Sequence, residues 1–388
     1  MKVLWLCSWY PHSVDPYDGD FIERQAKALA LHMQVDVIHV VQNFNFLKKE
    51  TRLRTEEKRE GQLHSSVYFL PLPKTTISFF QKLLFNKQYQ SLYKKLIADY
   101  ISKNGQPDLI HLHVPVKAGS MAVQVKKENN IPFVVTEHSS AYFEHIPENY
   151  FSRNRYFRFV TKQSFEEAAA VSSVSDWLLT RLNSLFAIKQ TKLIRNVVDT
   201  SLFYPVENKH RRPVLIHVSM MHPLKNVEGI LHALAALKQK SAHWEMWFVG
   251  PVLKENTTLA ERLGIADQIN WKGTLTYKAV AECVSSADAL VHFSNYENLP
   301  CVINEALCCG VPVISSDVGG IAELINSSNG VLVAPGDINA LANSLEDFLQ
   351  QKISYNKTEI AATAANQFSE HIIGKQLLEW YQELFEKK

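Results

Sequence analysis

Two glutamates, Glu297 and Glu305, stand with seven residues between them within the run Ser294-Asn295-Tyr296-Glu297-Asn298-Leu299-Pro300-Cys301-Val302-Ile303-Asn304-Glu305-Ala306-Leu307. An apolar, strand-like stretch at 289–293 precedes them. Pro300 suits the first helical position, where its missing N–H would be unpaired anyway. Gly310 suits the helix end, and 311–315 restarts a buried strand. Glu297 therefore falls in a strand-to-helix loop, while Glu305 lies more than one turn inside the helix. The free N–H groups of such a loop and of a helix N-terminus suit an anion. Two carboxylates beside that anion ask for a ligand rich in hydroxyl donors. A sugar carried on a nucleotide diphosphate has both parts. Cys301 lies in the same run and reads as a small packing residue.

The elements that position these residues follow from the rest of the chain. Its 388 residues suggest two domains of about 100–200 residues each. Apolar residues make up 46% and charged residues 21%, an ordinary globular composition, and the net charge of +2 argues against a dedicated nucleic-acid binder. The five cysteines, Cys7, Cys283, Cys301, Cys308 and Cys309, show no C-x-x-C spacing and read as reduced thiols in a cytosolic protein. The opening segment 1–10 is too short for a membrane span and reads as a first buried strand. Strand candidates at 3–7, 35–41, 67–70, 109–113, 133–136, 169–174 and 192–194 alternate with helical periodicity. A second series follows at 214–218, 244–249, 269–271, 289–293, 311–315 and 331–333. Continuous apolar strands alternating with helices imply parallel sheets covered on both faces. The expected architecture is α/β with two Rossmann-like domains, 1–205 and 206–368, and a final helix at about 369–388. The break between them falls where Pro205, Asn208 and Lys209-His210-Arg211-Arg212 interrupt the pattern.

The pattern S-x-x-E-N-L-P-x-x-x-x-E-A-L-x-x-G-V-P-V, followed by Gly319-Gly320, resembles the donor-site signature of the family 4 retaining glycosyltransferases. The resemblance implies the GT-B fold, in which two Rossmann-like domains face each other across a cleft, with the final helix crossing back to the first. It implies that Glu305 accepts hydrogen bonds from the nucleotide ribose. Glu297 and the backbone of Asn298, Leu299, Pro300 and Cys301 would hold the donor sugar. Lys225, in His222-Pro223-Leu224-Lys225-Asn226, matches the family lysine at the diphosphate, and Gly19, in Tyr17-Asp18-Gly19-Asp20, matches the family glycine there. His138, in Thr136-Glu137-His138, matches the histidine beside the transferring sugar. His138, Glu297 and Lys225 are thus the expected catalytic residues. The expected donor is of the UDP or GDP type, with no further cofactor and no metal, and the acceptor a glycan or glycolipid. Met220 stands where many members carry a second cation, an arginine, at the diphosphate. Arg195-Asn196-Val197 departs from the family's P-N-G, so no ligand contact is expected there.

Asp18-x-Asp20 spells a metal-binding doublet of another glycosyltransferase fold, but it sits in the first loop rather than deep in the chain. His111 and His113 share one strand face and read as core or pocket wall, with no third ligand nearby in sequence. A sugar-nucleotide epimerase has the same two-domain layout, and Met220 leaves room for a pseudoenzyme that binds nucleotide or glycan without turnover. The stretch 77–103 interleaves Phe79, Phe80, Leu83, Leu84, Phe85, Tyr89, Tyr93 and Leu96 with Lys82, Lys87, Lys94 and Lys95, and Arg153, Arg155, Arg158 and Lys162 form a second basic cluster. A basic amphipathic face can dock on anionic lipid, or be the solvated back of a core helix. The expected setting is cytoplasmic, with contact at the inner face of a membrane bearing the acceptor.

Overall fold

The structure is a computed structural model that describes residues 1–386 except 76, 116, 117, 147, 208, 209 and 242. Asn208 and Lys209 of the expected break, and Lys387 and Lys388 at the expected end of the last helix, lie outside the described residues. The chain divides into two compact units, Met1–Arg195 joined by the segment from Glu370 onward, and Asn196–Ser369.

The first unit is built on β1 (Val3–Cys7), β2 (Val35–Val40), β3 (Arg54–Glu60), β4 (Leu63–Phe69), β5 (Leu109–His113), β6 (Phe133–Glu137), β7 (Val171–Ser173) and β8 (Thr191–Leu193). They form one sheet in the order β3-β4-β2-β1-β5-β6-β7-β8. Every residue of β1, β2, β5 and β6 is buried, as continuous apolar strands covered on both faces must be. The exception to parallel pairing is β3, antiparallel to β4. Its sequence, RTEEKRE, has no apolar residue, so periodicity did not reveal it. It is stable as an edge because its outer face needs no core, and its charges deter further pairing. The turn into β4 places Gly61 at φ +55.

Helix Glu370–Glu386 packs within this unit against helix Asp20–Ala30. Gly374 makes this approach possible, because a Cβ there would collide with the Ala28 carbonyl. Trp380 and Tyr381 are buried by the packing, and each large side chain so buried contributes about 1.5–3 kcal/mol.

The second unit carries β9 (Val214–Val218), β10 (Glu245–Val249), β11 (Ile269–Gly273), β12 (Ala289–His292), β13 (Val313–Ser316) and β14 (Gly330–Val333). All are parallel, in the order β11-β10-β9-β12-β13-β14. From β9 the chain winds outward to β10 and β11, then returns to β12 on the other side. The carboxyl ends of β9 and β12 therefore flank the point where the winding reverses, the place where open α/β sheets bind ligands. Leu215, Phe248, Val291 and Ile314 of the strands pack with Ile230 and Leu234 of helix Val227–Lys238 and Leu341 and Leu345 of helix Ile338–Leu349 to form the core. That core holds the two strand ends rigidly.

Candidate active site

In the second unit the loops leaving β9 and β12 bring Lys225 and Glu297 together. His217, in β9, is wholly buried, and its Nδ1–H donates to the Val291 carbonyl of β12 at 2.9 Å. Its Nε2 then accepts the Ser219 hydroxyl at 2.8 Å, and Ser219 Oγ accepts the Met221 N–H at 3.0 Å. Burial pushes the His217 imidazole down to about 3, so the ring is neutral and can hold this donor–acceptor pattern. Gly250, at φ +140, lies so close to the Ser219 carbonyl that a Cβ would overlap it. The loop is thereby clamped up to Met221, and a short turn leads from it to Lys225 (Pro223–Lys225). Asn226 caps the following helix, accepting the Gly229 N–H at 3.1 Å. The Asn295 N–H, from the β12 loop, donates to the Leu224 carbonyl at 2.8 Å and ties the two loops together.

Lys225 Nζ lies 2.5 Å from Glu297 Oε1. The same oxygen accepts a hydrogen bond from His292 Nε2 at 2.9 Å, which fixes the His292 proton on that nitrogen. Ser294 Oγ lies 3.0 Å from that nitrogen. Burial alone would raise the Glu297 carboxyl. The His292 hydrogen bond and the Lys225 ammonium outweigh it and bring the group down to about 2. His292 is itself pushed down by burial, against the pull of Glu297, so it serves as a neutral donor. Glu297 uses only one of the three N–H donors of Lys225, so the lysine can hold a second anionic oxygen. Gly319, at φ +60, carries no Cβ because one would overlap the Glu297 carbonyl oxygen. Gly320 N–H donates to the Asn298 carbonyl at 2.8 Å. The Gly319-Gly320 pair of the sequence motif thus supports the back of this loop.

Helix Cys301–Cys308 follows. Pro300 was expected as its first residue but stands one position earlier, at ψ 125, because a cap must be extended while its carbonyl already serves the helix. Gly310, at φ +70, ends the turn, pressed against the Lys357 carbonyl. Glu305 is 5% exposed and accepts the Tyr277 hydroxyl at 3.0 Å. Asn196 Nδ2 donates to the Leu299 carbonyl at 3.3 Å, so a segment given no role in the sequence supports the loop backbone. Tyr277, His292 and Asn196 were missed because each acts through a long-range hydrogen bond that no local pattern encodes. Met220 is 61% exposed and brings no charge to the loop. Cys308 and Cys309 are buried, and no disulfide forms among the five thiols.

The first unit holds the other two predicted residues at the carboxyl edge of its own sheet. Gly19, at φ +68, precedes helix Asp20–Ala30, and a Cβ there would press on the Trp9 backbone. Phe21, in the first turn of that helix, stacks obliquely on the His138 ring at 4.7 Å between centroids. His138 follows β6; burial pushes its imidazole down to about 3, so it is neutral, and its Nε2 is 3.5 Å from His113 Nδ1. Beside it is a carboxyl that the sequence reading passed over. Glu137 is fully buried and accepts the His138 N–H at 2.8 Å, the Ser139 N–H at 2.7 Å and the Tyr142 hydroxyl at 2.6 Å. Burial pushes Glu137 up to about 7, against those hydrogen bonds. It shapes the loop that presents His138.

His111 and His113 are core residues. His111 bonds Tyr381 at 2.5 Å and Thr136 at 2.6 Å, and both rings pack on Trp5. Asp18 and Asp20 diverge, Asp20 pairing with Arg24 at 2.9 Å. Asp18 instead faces His12 and His39, with one potential ligand atom of each within 4.8 Å of the others. His12 Nδ1 accepts the Val14 and Asp15 N–H groups at 3.3 and 3.1 Å, which puts the ring proton on Nε2 and withholds that lone pair from a metal. A cavity of about 600 Å³ also lies in the first unit, lined by Asp36, Arg59, His64, Tyr100 and Lys103, and contains none of the predicted residues.

Comparison with known proteins decides the family. The model for glycosyl transferases group 1 matches residues 201–365, and that for Glycosyltransferase Family 4 matches residues 21–202. The chain belongs to the family 4 glycosyltransferases. TuaC of Bacillus subtilis, a glycosyltransferase named for teichuronic acid biosynthesis, is 24% identical over 368 residues, covering 91% of this chain and 90% of its own. N-acetyl-alpha-D-glucosaminyl L-malate synthase of Bacillus anthracis is 24% identical, covering 76% of this chain and 77% of its own. Among solved structures, sucrose-phosphate synthase from Thermosynechococcus elongatus superposes with a TM-score of 0.79 at 21% identity, all of each chain being covered. Anabaena HepE in complex with UDP and glucose does so at 0.71 and 19% identity, covering 99% of this chain and 100% of that one. The two parallel-sheet units of this glycosyltransferase are those of the GT-B fold.

Proposed function

We propose that this glycosyltransferase moves a sugar from a nucleotide-diphosphate donor to a hydroxyl of a glycan or lipid-linked acceptor, with retention and without a metal. The observation that carries this reading is the Lys225–Glu297 contact at the point where the second sheet reverses its winding. It pairs a cation with a carboxylate on the loop that leads into helix Cys301–Cys308, which suits a diphosphate joined to a polyol. The HepE complexes with UDP and with UDP-glucose support a nucleotide donor for the fold.

Lys225, with N–H groups of the loops of the second unit, holds the diphosphate and stabilises the charge that develops as the anomeric C–O bond breaks; the family resemblance assigns Gly19 to the diphosphate as well. Glu297 and the backbone of Asn298 to Cys301 hold the sugar hydroxyls, and Glu305 takes the ribose hydroxyls; the family resemblance assigns the neutral His138 to the sugar. The acceptor oxygen bonds to the anomeric carbon from the face the nucleotide leaves, and the departing phosphate oxygen takes the acceptor proton. No protein nucleophile is consumed. The relatives reported above are transferases and synthases, which do not favour an epimerase. A thermal-shift screen of UDP, GDP, ADP and their sugars identifies the donor, since a ligand bound only by the folded state raises its midpoint. NMR of the product then reads the anomeric configuration; inversion would refute retention, and donor conversion without acceptor would favour the epimerase.

A further inference from the structure

Three strands of the first unit present a polar row on one side of their sheet. β2 pairs in parallel with β4 and β3 pairs antiparallel to it, so that Asp36, His64 and Arg59 stand side by side. In the next row of the same face stand Ile38, Ser66 and Glu57, since alternate residues of a strand point to one side. The last turns of helix Ser78–Asn104 lie against that side, where the Tyr100 hydroxyl donates to Asp36 Oδ2 at 2.9 Å. Sheet and helix together bound the cavity of about 600 Å³, and Asp99 and Lys103 complete its wall.

Asp36 is 8% exposed, and burying a carboxylate is costly unless it is hydrogen-bonded. Its Oδ2 also accepts Gln34 Nε2 at 3.1 Å, and its Oδ1 lies 3.4 Å from His64 Nδ1. Three side chains therefore fix this carboxylate at the cavity wall. Other groups of the lining have no such partners. His64 Nε2 is buried without a hydrogen bond, and the exposed Arg59 and Lys103 make no hydrogen bond or ion pair among the described residues. The lining sets three carboxylates, Asp36, Glu57 and Asp99, against those two cations, so no cationic excess is present to hold a diphosphate. Carboxylates accept hydrogen bonds, Arg59 and Lys103 donate them, and the amides of Gln62 and Asn104 do both. A ligand hydroxyl also does both and can answer every one of them. Tyr68 and Leu96 add an apolar wall on which the face of a pyranose ring can pack. The volume is that of a small-molecule site, about 300–1,000 Å³, and exceeds what a single sugar needs.

We infer that this cavity binds a segment of a neutral oligosaccharide, Arg59, Lys103 and Glu57 meeting its hydroxyls beside the fixed Asp36–His64 pair. Asp36 and His64 are the second residues of β2 and β4, towards the amino edge of the sheet. The Gly19 loop and His138 follow β1 and β6 at the carboxyl edge. The site therefore holds glycan away from His138, and it stands whether or not Lys225 and Glu297 act as proposed.

The test is saturation-transfer difference NMR of the full chain with maltohexaose, cellohexaose, mannohexaose and chitohexaose, in the absence of nucleotide sugar. At least one is expected to receive saturation, and inorganic phosphate is expected not to displace it. Arg59→Ala/Lys103→Ala is expected to weaken that binding at least about tenfold. Its thermal midpoint is expected to be unchanged, since both side chains are exposed. Lys225→Ala is expected to bind the oligosaccharide as the parent does. Saturation of none of the four would overturn the inference. So would unaltered binding by the double variant, or displacement by phosphate, which would make the cavity an anion site. Loss of binding in Lys225→Ala would also overturn it, by placing the glycan in the second unit.

Discussion

Lys225 and Glu297 meet across two loops, ammonium to carboxylate at 2.5 Å, although 72 positions separate them in the chain. The pair is half-shielded, with 26% of the lysine side chain and 11% of the glutamate side chain exposed. Partial burial strengthens the attraction over that of a surface pair, but it also makes a lone partner costly. Removing either residue therefore differs from removing both.

Lys225→Ala is expected to lower donor affinity about 10- to 150-fold, corresponding to the roughly 1.5–3 kcal/mol of a charge-assisted hydrogen bond. The lysine is partly exposed, so the circular dichroism of the variant should match that of the parent. A double-mutant cycle with Glu297→Ala, read from thermal midpoints without ligand, is expected to show coupling of about 0.5–3 kcal/mol. Strict additivity would mean that the pair does not interact.

The acid limb of stability should report Glu297. Its carboxyl is held at about 2, below its ordinary value of 4.5, so the folded state prefers the ionised form. That contribution is complete above the unfolded value and is lost as pH falls from about 4.5 towards 2. The full change is on the order of 3 kcal/mol. Urea unfolding of Glu297→Gln between these pH values is expected to show a shallower decline than the parent.

Glu137 gives the opposite slope. Its carboxyl is raised from 4.5 to about 7, so the folded state prefers the protonated form. Its contribution is complete below the unfolded value and is lost as pH rises through about 7. Glu137→Gln is expected to flatten the decline in stability between pH 5 and 8, on the order of 3 kcal/mol at most. An unchanged slope would show that the group is not desolvated.

Gly319→Ala tests the support behind Glu297. The added Cβ meets the Glu297 carbonyl, and the backbone stands at φ +60. Strain of this kind costs about 1–3 kcal/mol. A drop in thermal midpoint together with a larger loss of turnover than Gly336→Ala is expected. Gly336 is the control because its φ is +75 but nothing lies within 4 Å of its Cβ position.

Much of this fold was legible because fully buried parallel strands must be apolar throughout. The runs from β1 to β14 that lack charge stood out, whereas β3, charged along its length, did not. The placement of Glu297 in a loop and Glu305 inside a helix followed from local turn chemistry alone. The Lys225–Glu297 contact did not, because spacing along the chain carries no distance between two loops. Nor did the Glu137 carboxyl, since its shift comes from burial that only tertiary packing creates. The aromatic–lysine stretch at 77–103 was ambiguous for the same reason. Its pattern allowed either a core helix with a solvated back or a surface face, and the structure contains both on one helix.

The central claim is that the second unit grips a nucleotide-diphosphate sugar through Lys225 and Glu297. Titration calorimetry of the parent and of Lys225→Ala with the donor identified by thermal shift tests it most directly. The account predicts measurable binding by the parent and at least about a tenfold loss in the variant. Equal affinity in the two proteins would contradict it.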